Sequence, residues 1–238
     1  MIPSVTKLAI LPVGFVFLLL SGCGSSKQTA ASTATVIVYQ ENFDQGTVQV
    51  SWSGQSEAQS LAFQEDTGPL RLQAGAGTME ITGSNVSFND IPLTLTPNTT
   101  NEFIMFGFEP YEQAYMLLTA DTTPAAGSGA KLRIENCTVE STAGNLYLLP
   151  SGSVPNANST SLSNYICNLN PVGGGVYQVL SLGTYDFFVT GSGPTQVLYK
   201  TTVTLAANQN RTLVLLFGCT GAGECPTAFA TLLLDDLN

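Results

Sequence analysis

With no histidine among its 238 residues, the reactive side chains of this chain are its cysteines and carboxylates. A Ser-His-Asp triad, a Cys-His dyad, a His-ligated zinc and an imidazole proton shuttle are therefore excluded. Of the five cysteines, Cys137, Cys167, Cys219 and Cys225 lie in the second half of the chain. An even set in an exported chain reads as disulfides. Cys219 and Cys225 bracket Thr220-Gly221-Ala222-Gly223-Glu224, a turn that lets its ends meet. Three pairings are open, and the expected one joins Cys137 to Cys167 and Cys219 to Cys225. A four-cysteine zinc site would pair its ligands at closer spacing, so no metal and no cofactor is expected. Glu65-Asp66 and Asp235-Asp236 are adjacent, and neighbours on a strand point to opposite faces, so neither pair shares a proton. The alternating Asp and Asn oxygens of a calcium loop are missing. Hydrolysis could then run only on a carboxylate pair brought together from different strands or on a Ser-Lys dyad, and the chain is expected not to be an enzyme. The aromatic residues Phe103, Phe106, Phe108, Tyr111 and Tyr115 crowd one stretch. They could line a glycan or peptide groove, with Phe106, Phe108, Tyr111 and Tyr115 as its candidate patch. Core packing is the plainer expectation for them and for Trp52.

The N-terminus says where these groups are carried. Residues 1–22 read as a signal peptide, with Lys7 ahead of the apolar run Leu8 to Leu20. That run is about 13 residues, short of the ~20 a membrane-spanning helix needs. Leu20-Ser21-Gly22-Cys23 resembles the lipobox of bacterial lipoproteins. The resemblance implies cleavage before Cys23 and a diacylglycerol on its thiol, so that acyl chains of the palmitate kind hold the protein to a membrane. Gly24 after the cysteine, by analogy with enterobacterial sorting, implies the outer membrane of a Gram-negative cell envelope. Residues 23–34 form a lipidated tether of Gly, Ser, Thr, Ala, Gln and one Lys, flexible because it has nothing to bury. The 7 basic and 17 acidic residues give a formal charge of -10, which argues against nucleic acid or an anionic membrane surface as a partner of the polypeptide itself.

Beyond the tether the hydrophobic pattern has period two. Val48, Val50 and Trp52 alternate with polar residues, as do Ile91, Leu93 and Leu95. Leu132 and Ile134 alternate with Arg133 and Glu135; Tyr185, Phe187 and Val189 alternate with Asp186, Phe188 and Thr190. Strands with one buried face give this pattern. The Gly/Pro/Ser-rich stretch 122–129 reads as a linker, which divides the chain into domains 35–121 and 130–238. Similar stretches follow in the same order in both, so the domains read as copies. The fold expected is all-β: two tandem antiparallel β-sandwiches.

Leu132-Arg133-Ile134-Glu135-Asn136, Leu182-Gly183-Thr184-Tyr185, and Thr204-Leu205 with Arg211-Thr212-Leu213 resemble the bacterial domain-of-unknown-function 4397 family. Arg211 stands where that family usually has an aromatic residue, and Gly77-Thr78-Met79 in the first segment lacks the family's tyrosine. The resemblance implies immunoglobulin-like or transthyretin-like sandwiches, often in tandem and lipid-anchored, with no common activity. The function expected is a lipid-anchored, non-catalytic scaffold of the cell envelope, touching the membrane through its N-terminal lipid and partnering an envelope protein or glycan. A glycan- or peptide-binding surface module is the alternative, and a carboxylate-based hydrolase a more distant one.

Overall fold

A computed structural model describes residues 31–42, 46–53, 59–84, 90–107, 114–137, 145–162, 175–218 and 228–237. Every regular element among these residues is a strand. The first segment runs β1 (Thr33–Asn42), β2 (Val48–Trp52), β3 (Gln59–Leu61), β4 (Glu65–Asp66), β5 (Leu70–Gln73), β6 (Gly75–Thr82), β7 (Asp90–Leu95), β8 (Thr100–Gly107) and β9 (Ala114–Thr119). The second runs β10 (Ala130–Asn136), β11 (Leu146–Pro150), β12 (Gln178–Leu180), β13 (Gly183–Thr190), β14 (Val197–Leu205), β15 (Asn210–Gly218) and β16 (Ala228–Leu237). β1 takes up Thr33 and Ala34, which the sequence reading assigned to the tether, because Thr33 and Ala34 pair with Gln73 and Leu72 of β5.

Each segment builds two sheets over one core. In the first, β4, β1, β8 and β9 form one sheet, with β5 also on β1, and β3, β2, β6 and β7 form the other. Val36, Val38, Phe103 and Met105 meet Val48, Val50, Trp52, Met79, Ile81 and Ile91 between them. In the second, β12-β10-β15-β16 faces β11-β13-β14 across Leu132, Ile134, Leu213 and Leu215 on one side and Phe187, Val189, Val203 and Leu205 on the other. Pro92 is tolerated in β7 because that strand lies at a sheet edge, where a missing N–H leaves no ladder bond unmade.

The expectation of purely antiparallel sandwiches needs one correction in each copy: β1 runs parallel to β8 and β10 parallel to β15. Parallel neighbours need a crossover connection, and the intervening strands supply it by passing through the facing sheet. This shared feature strengthens the likeness of the copies. Thr35 N–H donates to Thr99 C=O, and Lys131 N–H to Gln209 C=O. The turn before each partner strand holds an asparagine in the left-handed region, Asn98 at φ 59° and Asn208 at φ 62°, a conformation Asn tolerates better than most residues.

A third apolar cluster joins the copies. Ile104, Phe106, Met116 and Leu118 from the outer face of β8 and β9 pack with Cys137, Val214, Leu216 and Leu234 from the outer face of the β10-β15-β16 sheet. The faces are equivalent, since Tyr39 stands beside Ile104 in the first copy as Glu135 stands beside Val214 in the second. Like faces meeting in this way resemble the isologous contact of a homodimer, and residues 31–238 form one compact unit. The reading of one buried face per strand therefore fails at the junction. Arg133 is 5% and Glu135 0% exposed, because the first sandwich and the stretch 175–177 cover the side that the alternation assigned to solvent. Asp186, Phe188 and Thr190 are buried as well.

Candidate functional site

The densest polar chemistry among the described residues lies beside that apolar cluster. β8 carries Glu102 on the same face as Ile104 and Phe106, and β10 carries Arg133 and Glu135 on the face opposite Leu132 and Ile134, so the junction closes on two carboxylates and one guanidinium. Arg133 Nη2 is 3.8 Å from Glu102 Oε2, and its Nε is 3.8 Å from Glu135 Oε1. Nε donates to Thr212 Oγ1 at 3.0 Å and Nη1 to Thr119 C=O at 3.1 Å, while the guanidinium stacks 4.6 Å above the Tyr177 ring. Thr119 belongs to the first copy and Thr212 to the second, so this one side chain bridges them. Burial raises the Glu135 carboxyl above its ordinary value, against the Gly175 N–H, 2.9 Å away, and the Arg133 charge, which lower it.

The segment between the copies is anchored over the same place. Lys131 Nζ contacts Asp121 Oδ2 at 2.6 Å and also donates to Thr123 C=O and Thr123 Oγ1. Asn210 Nδ2 donates to the carbonyls of Asp121 and Thr123, and Asp121 N–H to the Tyr177 hydroxyl at 3.2 Å. Desolvation raises the Asp121 carboxyl, but hydrogen bonds from Lys131 and Thr123 outweigh it and leave the group below its ordinary value. Ser128 precedes Lys131 by three residues, the spacing of a Ser-Lys dyad. The Lys131 ammonium is committed to Asp121 and Thr123, however, and is not free to act as a base.

Other sequence-predicted groups are dispersed. Phe106 is 2% exposed within the junction, whereas Tyr115 packs from the opposite face of β9, its ring stacked 5.5 Å from Phe103 over the first core. The two cannot line one groove. Phe108 and Tyr111 lie outside the described residues, as do Cys23, Cys167, Cys219 and Cys225. Cys137 is buried in the junction, its sulfur 3.6 Å from that of Met116. Glu65 and Asp66 close turns rather than face each other, accepting from Ala62 N–H at 2.8 Å and Gly68 N–H at 2.7 Å.

Three acids that the sequence reading passed over turn out to be constrained. Glu102 and Glu41 sit on strands of the junction sheet, and burial pushes Glu41 up to about 7. Asp186 is held down to about 2, first by Lys200, then by the Gly152 N–H, against some desolvation, with Thr202 adding a further hydrogen bond; its contact with Lys200 is 2.9 Å. The signal for Glu102 was present. Phe103-Ile104-Met105-Phe106 is a continuous apolar run, which marks a strand buried on both faces, and an acid leading into such a strand is buried with it.

The first sandwich also carries a cleft of about 200 Å³, lined by Val50, Ser51, Trp52, Gln59, Leu70 and Arg71 among others. Beside it, among the described residues, β3 pairs with β2 only from Val48 to Val50. No family model matches this chain, and no curated protein is similar to it.

Proposed function

We propose that the protein is a lipid-anchored component of the bacterial cell envelope, held through Cys23 to the outer membrane, whose two sandwiches act together as a non-catalytic structural or interaction scaffold. One observation carries this reading: the acids and base dense enough for chemistry, Glu102, Arg133 and Glu135, are enclosed in the contact between the copies. A group that no substrate reaches positions structure rather than reactants. The scarcity of charge elsewhere and the absence of histidine agree with it, as does the lipobox-like Leu20-Ser21-Gly22-Cys23.

Disulfides belong to the same proposal. Buried Cys137 enters it as a half-cystine. Gly175, eight residues after Cys167 in the sequence, donates to Glu135, two residues before Cys137. This favours Cys137 with Cys167 and leaves Cys219 with Cys225 across a short turn. Peptide mapping without reduction should recover both links; a Cys137 to Cys219 peptide would contradict the pairing.

The purified chain is expected to turn over no ester, peptide or glycoside. Activity that survives repurification and vanishes on changing one Asp or Glu would replace the scaffold by a hydrolase. The cleft beside Trp52 favours a second reading, a surface module that binds a ligand.

A further inference from the structure

We propose that the contact between the two sandwiches is a proton-controlled latch: Glu135 carries a proton while the junction is closed, and loss of that proton loosens the copies from each other. The proposal stands on the cluster of Glu102, Arg133 and Glu135 and does not depend on the lipid anchor.

Two carboxylates share one guanidinium in a space closed to water, since Glu102, Arg133 and Glu135 are all buried. Arg133 Nη2 and Nε stand 3.8 Å from Glu102 Oε2 and Glu135 Oε1, beyond the roughly 2.7–2.9 Å of a charge-assisted hydrogen bond. Nε and Nη1 meanwhile donate to Thr212 Oγ1 and Thr119 C=O. Ionising both acids would leave one negative charge uncompensated out of water, a state that buried groups escape by staying neutral. No second cation is at hand among the described residues. Lys131, on the same face of β10, is held by Asp121, and Lys200 by Asp186. Arg211 donates to Thr204 C=O, and Arg71 is exposed on β5.

Glu135 is the acid that keeps the proton. Its Oε1 accepts the Gly175 N–H at 2.9 Å, but its Oε2 is buried with no donor among the described residues, and burial raises the carboxyl above its ordinary value. The groups around it are few in charge. β15 presents Thr212 and Val214, β9 presents Met116 and Leu118, and β16 presents Leu234; β8 presents Glu102, and Tyr177 lies over Arg133. Glu41, beside Phe106 on β1, is a further acid on the junction face. When the junction opens, Glu135 meets water and returns toward its ordinary value of 4.5. Opening therefore releases a proton to water, and closure weakens as pH rises above that value. Below it the latch keeps its full strength. The apolar cluster of Ile104, Met116 and Val214 still favours closure at higher pH, so opening is a minor population that grows.

Methionine oxidation reads that population, because hydrogen peroxide attacks a thioether sulfur that carries no titrating proton. Met116 is buried in the junction, whereas Met79 and Met105 are buried in the first core and report unfolding of the sandwich itself. The test exposes the chain from Gly24 onward, whose compact unit begins at Ala31, to peroxide at about pH 5 and about pH 8 and follows each methionine by peptide mass. Met116 should oxidise about tenfold or more faster at the higher pH, since each tenfold loss of acidity on closure raises the open population tenfold. Met79 and Met105 should stay equally protected at both. Glu41→Gln should keep most of the rise, and Glu41→Gln combined with Glu135→Gln should hold Met116 at the slow rate throughout. Without any change at Glu135, the Glu41→Gln chain should also show the infrared band of a protonated carboxylic acid at about pH 6. Met116 oxidation independent of pH, a rise shared by Met79 and Met105, a rise that survives in the double variant or vanishes in Glu41→Gln alone, or no protonated carboxyl at about pH 6 would each overturn the proposal.

Discussion

Arg133 sits between Glu102 and Glu135, and its removal should cost more than any contact it makes. Arg133→Met would leave two carboxylates facing each other out of water, a loss of about 3–5 kcal/mol in the manner of a broken buried pair. Adding Glu135→Gln should restore part of it, which a double-mutant cycle in urea would measure. Glu41 and Asp186 give opposite pH dependences. The folded-state pKa of Glu41 is raised from 4.5 to about 7. Between those values the unfolded chain releases its proton first, so stability falls as pH rises through that window and the penalty is complete above it. Glu41→Gln should flatten this part of the profile and gain about 1–3 kcal/mol at pH 8. For Asp186, lowered from 3.8 to about 2, the stabilisation is present above the ordinary value and is lost as pH falls toward 2. Asp186→Asn should remove that acid sensitivity, and a wild-type profile flat from pH 4 to 2 would contradict the Lys200 assignment.

Strands were the most legible level. The period-two runs at Val48–Trp52 and Asp90–Leu95 became β2 and β7 with alternating burial, because one face of each meets the core and the other meets water. Legibility ended where a strand gained a second covered face. Arg133 and Glu135 fit the alternation that ordinarily marks a solvent side, and they are buried by the first sandwich together with the stretch 175–177 of their own segment. Local pattern does not encode that contact, except as the uninterrupted apolar runs in β8 and β15. The parallel pairs were hidden for a similar reason, since partner choice depends on the path of the chain between the strands. The plainer expectation for the aromatic stretch, core packing, holds for Phe103, Phe106 and Tyr115, but that they divide between two clusters depended on which way each strand faces. Two substitutions test these placements. Phe106→Ala should cost about 3–5 kcal/mol although it leaves both sandwich cores whole. Gly77→Ala should displace the indole, shifting Trp52 emission and costing about 1–3 kcal/mol by overpacking; an unchanged spectrum would contradict the close approach.

At the scale of the molecule, the junction makes one body of two similar sandwiches. The apolar cluster of Ile104, Met116, Val214 and Leu234 and the Arg133 network couple the copies, so the chain should unfold in one transition by calorimetry. Val214→Asp, which puts a charge into the contact, should split the melt in two. The proposed scaffold role turns on how this body is held to the membrane. Detergent-phase partitioning of the full chain expressed in a lipoprotein-processing bacterium, compared with Cys23→Ala, addresses this most directly. The account predicts that the wild-type protein enters the detergent phase and that Cys23→Ala remains in the aqueous phase. Equal partitioning of the two would contradict lipid anchoring at Cys23.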